Sequence, residues 1–188
     1  MKKFFTFLTV LISAMNLFAQ DLNSAQESGS ERKNDIVLDP ILLIAVPMIN
    51  VSYERILNKD MGVGVNAMIV LDKDVDDFKQ VSPYFRYYMG RKYASGFFFE
   101  GFVPVTFQKD DFYGSDYDDI TNTYYYSYRG NKTVTTVGIG FGVGGKWVIK
   151  DRLVIEASGG IARRFGNGER YDVGEVTGKI MGGIGYRF

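Results

Sequence analysis

Six charged residues sit near the middle of short alternating segments of the chain: Glu54, Arg86, Glu100, Lys146, Glu156 and Lys179. Three are carboxylates, the residue type that acid–base catalysis uses in pairs. The chain has no Cys and no His. That removes the commonest general base, the usual partner of a catalytic Ser, all thiol chemistry and the commonest metal ligands. The carboxylates also have basic residues within reach. Lys146 faces Glu156 if 150–152 is a turn, and Arg86 faces Glu100 if 91–95 is one. Arg164 and Glu175 can meet across 165–173. Lone buried charges are costly and paired ones tolerable, so the set reads as mutual neutralisation rather than catalysis. No catalytic residue is assigned, and the protein is expected not to be an enzyme.

A second acidic group lies in 108–132: Asp110, Asp111, Asp116, Asp118 and Asp119. Clustered carboxylates suit Ca²⁺, but this spacing matches no EF-hand, and a solvated acidic loop is the plainer reading. Tyr124, Tyr125, Tyr126 and Tyr128 follow closely. Tyrosines suit a recognition surface and equally an aromatic girdle. Asp116, Asp118, Asp119, Tyr124 and Tyr126 are therefore candidates for surface binding. The run GIGFGVGG at 138–145 lacks the Lys-Ser/Thr ending and following helix of a phosphate-binding loop. No cofactor and no metal site are expected.

The elements that must position these residues come from the whole chain. Its 188 residues suffice for one domain, and 22 basic residues balance 22 acidic ones. Without a basic patch, nucleic acid is not an expected partner. Residues 1–20 have the layout of a secretory signal peptide: Lys2 and Lys3, an apolar run from Phe4 to Ile12, then smaller residues to Ala19. Residues 21–34 are polar with scattered charge and read as a flexible arm. The folded domain is 35–188. No other apolar run reaches the roughly 20 residues of a helical membrane span.

The domain reads instead as strands. The clearest is EVTGKIMGGIGYRF at 175–188, which ends on an aromatic residue. Val176, Gly178, Ile180, Gly182, Ile184, Tyr186 and Phe188 share one face, and Lys179 and Arg187 lie on the other. A period of two predicts a strand with one apolar face. The same alternation predicts strands at 61–72, 137–149 and 153–164, and less tidily at 49–57, 81–89 and 97–107. Short joints (58–60, 91–95, 150–152) alternate with long ones (73–80, 108–132, 165–173). For the alternation to close, an eighth strand must precede, and Ile36 to Ala45 is the candidate, turning at Val46 and Pro47. Pairing it with the last strand places Arg187 near Asp39. Pro83 and Pro104 fall inside strands and predict a bulge.

Charge placement decides which face looks inward. The apolar faces carry charge only near strand ends, at Arg55 and Arg163. An Arg or Lys facing lipid at mid-bilayer costs roughly 2–4 kcal/mol, falling to about 0–1 near the interface. The expected fold is all-β: a closed antiparallel up-and-down transmembrane β-barrel of eight strands, apolar outside. Its polar interior is filled by Glu54, Arg86, Glu100, Lys146, Glu156, Arg164, Glu175 and Lys179, because a barrel this narrow packs its interior with side chains. Inward glycines make room for Tyr84, Tyr88, Phe98 and Phe102.

Signal peptide, alternating strands, short turns on one side, long loops on the other and a terminal Phe together resemble the small eight-stranded outer-membrane barrels of the OmpA/OmpX type. The resemblance covers about 36–188 and is one of pattern. It implies a bacterial outer-membrane location, reached by export and signal cleavage. It also implies that Ile184, Tyr186 and Phe188 are read by the barrel-assembly machinery. Outer-membrane lipid and that machinery are the expected partners, of a monomer that ends at the barrel. The function it implies is structural, or surface binding through the external loops. The alternative is a soluble secreted or periplasmic barrel carrying a lipophilic ligand, which needs an apolar interior.

Overall fold

The computed structural model describes residues 32–71, 78–118, 123–165 and 175–188. The expected signal peptide, nearly all of the arm, and Asp119 lie outside the described residues. The strands are β1 Asn34–Leu38, β2 Met48–Ile56, β3 Met61–Val70, β4 Lys79–Tyr88, β5 Gly96–Phe102, β6 Val105–Asp118, β7 Thr123–Ile149, β8 Leu153–Phe165 and β9 Val176–Arg187. One short helix, α1 Pro40–Ala45, follows β1. All pairings are antiparallel; apart from β5 and β6, each strand pairs with its chain neighbours, and β1 pairs with β9, so the sheet closes on itself. β5 and β6 occupy one position in that ring, because both lie between β4 and β7. The nine strands therefore form a ring of eight.

The short joints and both strand termini of the chain share one rim. Asn34 and Phe188 exchange backbone hydrogen bonds of 3.0 and 2.8 Å, and Arg187 N donates to Arg152 O at 2.7 Å beside the β7–β8 turn. Tyr88 N donates to Asp60 O at 2.7 Å, and Ala94 N to Lys59 O at 2.8 Å. We call this the turn rim.

The first strand is shorter than expected. It stops at Leu38, and 40–45 is helical rather than extended. Asp39 is the reason: its carboxylate accepts the N–H groups of Ile41 and Leu42, both at 3.0 Å, and Pro40 needs no N–H at the first helical turn. The closing register differs accordingly. Arg187 lies opposite Asp35, not Asp39.

The prolines do not produce a bulge. Val81↔Val105 and Tyr84↔Phe102 belong to the same register, so nothing is inserted between them. Val103 N donates to Pro83 O at 3.0 Å and Gly138 N to Pro104 O at 2.8 Å. Each proline keeps its acceptor and lacks only a donor, which interrupts the ladder at 103–104 without shifting it. The irregularity lies elsewhere, between Phe112 and Tyr113.

Most of 108–132 is not a loop: β6 and β7 continue as a two-stranded ribbon past the ring, paired from Gln108↔Val134 to Asp118↔Thr123. At about 3.4 Å per residue the β6 arm reaches roughly 35 Å beyond its last β4 partner. Thr123, Tyr124, Tyr126, Tyr128, Thr133 and Val134 all lie on the ribbon, which is strand composition.

The two faces of the ring differ completely. Ile139, Phe141, Trp147, Ile161, Ile180 and Ile184 are all more than half exposed on the outside. Asp35, Glu54, Arg86, Lys146 and Glu156 are buried inside.

Candidate functional site

The interior of the ring is the place where chemistry-bearing residues converge. Adjacent strands supply facing pairs because residues of one parity all point inward. Arg86 on β4 lies opposite Glu100 on β5, and Lys146 on β7 opposite Glu156 on β8. Closure of the ring then brings pairs from opposite walls together. The Arg86 guanidinium donates to Glu100 (2.6 Å), to Glu54 (2.7 Å) and with two nitrogens to Glu156 (2.6 and 2.8 Å). Lys146 Nζ donates to Glu54 (2.6 Å) and Asp35 (3.0 Å). Lys179 Nζ donates to Glu100 Oε1. Arg187 donates to both oxygens of Asp35 at 2.7 and 2.9 Å.

These contacts form one continuous chain of charge: Arg187, Asp35, Lys146, Glu54, Arg86, then Glu156 and Glu100, then Lys179. Four cations face four anions, so the cluster is formally neutral. Tyr88 Oη adds a donor to Glu54 at 2.6 Å. Aromatic rings pack between the charges. The Arg86 guanidinium lies 4.3 Å from the centroids of both Tyr84 and Phe98, and Lys179 Nζ lies 4.0 Å from that of Tyr84. These are cation–π distances. Inward glycines do make room for the rings. A Cβ on Gly64 would fall 2.4 Å from Tyr84 Cζ, and one on Gly144 would fall 2.6 Å from Phe98 Cζ.

At the turn rim the β4–β5 turn packs against interior side chains. It folds back so that Ala94 is fully buried against Ile56, Tyr88 and Phe98. Arg187 donates to the carbonyls of Tyr93 and Ala94, both at 3.0 Å, and Ser95 Oγ donates to Lys146 O at 3.0 Å. The fold-back forces Ala94 to φ +40° and brings Gly90 so close to Ser95 that a Cβ would lie 1.7 Å from its carbonyl oxygen. Burial desolvates the Tyr93 phenol and raises its pKa above the ordinary value.

Toward the long-loop rim the interior is mainly amides and hydroxyls, with the buried carboxylate of Asp39 accepting from Asn50 at 3.4 Å. Asn50, Asn66, Gln80, Thr106 and Thr177 are buried there and mostly bond to one another and to backbone. Here the wall is also closed differently. β1 ends at Leu38, so β9 above Ile184 has no strand neighbour on that side. Side chains fill the gap: Asp39 accepts Gly182 N–H at 2.7 Å, Asn50 donates to Ile180 O at 2.7 Å, and Gln80 donates to Gly178 O at 3.2 Å.

Of the eight interior charges expected from the sequence, the structure joins Glu54, Arg86, Glu100, Lys146, Glu156 and Lys179. It does not join Arg164 and Glu175. Arg164 donates to Val176 O (2.9 Å) and Gln108 (3.4 Å), while the Glu175 carboxylate is exposed and meets Arg163 at 3.5 Å. Glu175 precedes the β8–β9 ladder, whose last pair is Arg163↔Val176, so strand parity does not hold it inward. The network also includes Arg187, which shares the inward parity of Lys179 on β9, and Asp35, which precedes the expected first strand and so carries no parity signal in the sequence. The fold-back of the β4–β5 turn left no sequence signal.

The surface candidates lie on the ribbon. Asp116 accepts from Ser127 and Arg129 across it. The Ser127 hydrogen bond, with the nearby Arg129 charge, holds the Asp116 carboxyl below the usual aspartate value. Tyr124 and Tyr126 are strongly exposed, and Tyr124 stacks 4.8 Å from Tyr117. Asp118 ends β6, but its side chain lies outside the described residues. Among the described residues no group of three His, Cys, Asp or Glu side chains is placed to hold a metal ion. Ile184, Tyr186 and Phe188 point outward at the turn-rim end of β9.

Among solved structures, the chain is similar to the crystal structure of the N-terminal beta-barrel domain of Pseudomonas aeruginosa OprF. The identity is 15% and the TM-score 0.45, over 83% of this chain and 96% of that one. No curated protein matches. A family model described as "Protein of unknown function (DUF3575)" matches residues 11–183, nearly the whole chain, and the protein belongs to that family.

Proposed function

We propose that the protein is an integral β-barrel of the bacterial outer membrane, without enzymatic activity. Its interior is closed by its own side chains, and its role is structural or surface-binding through the long-loop side. The observation that supports this is the inversion of the ring: bulky apolar side chains outside and paired charges inside. In water that distribution would expose a continuous apolar belt far larger than soluble monomers tolerate. In a bilayer it matches the depth rule for charge on a barrel wall. The alternative, a soluble carrier of lipophilic ligands, needs an apolar interior, and eight mutually paired charges do not provide one.

In this reading Ile184, Tyr186 and Phe188 face lipid and serve assembly by the barrel-assembly machinery, and the protein acts as a monomer. The β6–β7 ribbon stands outside the membrane and presents Asp116, Tyr124 and Tyr126. Expressed in a Gram-negative host, the protein should resist carbonate extraction and run with heat-modifiable mobility. Clean release as a soluble protein would refute the reading. In planar bilayers it should give no steady conductance.

A further inference from the structure

Beside the interrupted seam, the outer wall carries a cavity of about 450 Å³ that opens outward. This lies within the roughly 300–1,000 Å³ of small-molecule sites. Its floor is Gly159 on β8, where an added Cβ would meet nothing within 4 Å. Val143 and Ile180 form its sides, and Ile41 and Leu42 of α1 lean over it. Ile41 comes so close to the wall that a Cβ on Gly182 would lie 3.2 Å from its Cδ1.

The lining leaves only an apolar occupant. Its two polar side chains are already committed: Asp39 to α1, Gly182 and Asn50, and Ser158 Oγ to Glu156 at 3.3 Å. The helix beside it, PILLIA, has no polar side chain and no buried residue, and Ile44 is 85% exposed. A helix of that composition is unstable against water and is satisfied only by hydrocarbon. The groove is continuous with the apolar belt of the wall through Val143 and Ile180.

We propose that this groove is a site for one acyl chain of a membrane lipid, held between α1 and strands β7 to β9, with α1 itself dipping into the bilayer. This rests on the membrane reading above. The test uses the full chain refolded into vesicles of mixed phosphatidylethanolamine and phosphatidylglycerol, extracted in mild detergent and weighed by native mass spectrometry. The wild type should keep a one-lipid adduct under activation that strips the remaining lipid. In Gly159→Leu, which fills the floor, the adduct should fall roughly tenfold. Gly101→Leu should retain it, since Gly101 also faces outward with nothing within 4 Å but lies two strands from Gly159, on β5, and does not line the groove. Heat-modifiable mobility reports folding of each variant, and Val143→Phe narrows the groove from another strand should Gly159→Leu not fold. Equal adducts in wild type, Gly159→Leu and Val143→Phe, or none in a wild type that floats with the vesicles, overturn the groove while leaving the membrane reading intact. Failure to float overturns both.

Discussion

Arg86 is the residue on which the interior depends most. It contacts three carboxylates and lies between two aromatic rings with no exposure to solvent. Removing one partner of a buried pair costs about 3–5 kcal/mol, because the remaining charge is left uncompensated. Arg86→Met should therefore lower folding stability by about that much, read as a shift in the urea midpoint of the refolded protein. Arg163→Ala breaks an exposed pair with Glu175 and should change it by about 0–1 kcal/mol. If the two variants were equally stable, the interior network would not be holding the ring together. Glycines offer a second contrast at this scale. Gly144→Ala places a methyl against Phe98 and should cost about 1–3 kcal/mol through overpacking. Gly101→Ala meets nothing and should stay within about 0.5 kcal/mol.

At the scale of elements, Asp39 does two jobs at the seam. It caps α1 and takes the Gly182 N–H that a longer β1 would have paired. Loss of a cap costs about 0.5–2 kcal/mol, and an orphaned backbone donor a further 1–3 kcal/mol. Asp39→Ala should reduce stability by several kcal/mol at most and should speed amide exchange at Gly182 more than at Ile184, which retains its β1 partner Leu38. Uniform exchange along β9 would show that the side chains do not close the seam. The ribbon behaves differently because it is held outside the ring. Asp116 has a depressed pKa when folded, so its tie to Ser127 and Arg129 is present above the ordinary carboxylate pKa. The tie is lost as pH falls through the lower, folded value. Tyr124 and Tyr126 resonances should therefore broaden or shift on acidification below that range, while those of Asp116→Asn should not respond.

For the whole molecule, the orientation of the wall is the quantity to test. Ile161→Arg places a charge on an outward position of β8 that is 60% exposed. In a bilayer it should cost about 2–4 kcal/mol near mid-depth and impair folding into vesicles. A soluble protein would tolerate it and gain solubility.

Most of the strand positions, the outward belt and six of the interior charges were legible in the sequence, because side-chain period and charge parity are local properties. The pairs Arg86–Glu100 and Lys146–Glu156 followed from turn positions alone. The sequence misled where a local signal was outweighed. Asp39–Pro40 caps a helix inside a run that otherwise reads as extended, and the tyrosine- and threonine-rich stretch after Gly114 pairs as a ribbon although its aspartates suggest a loop. Which walls meet across the interior was decided only by closure of the ring. Lys146 reaches Asp35 and Glu54, and Arg86 reaches Glu156, over separations of 70 to 111 residues. The seam was decided there too, since a five-residue β1 pairs with only four of the twelve residues of β9 and three side chains complete the wall. Period and parity set what each strand shows to either side; only the closed ring sets what stands opposite.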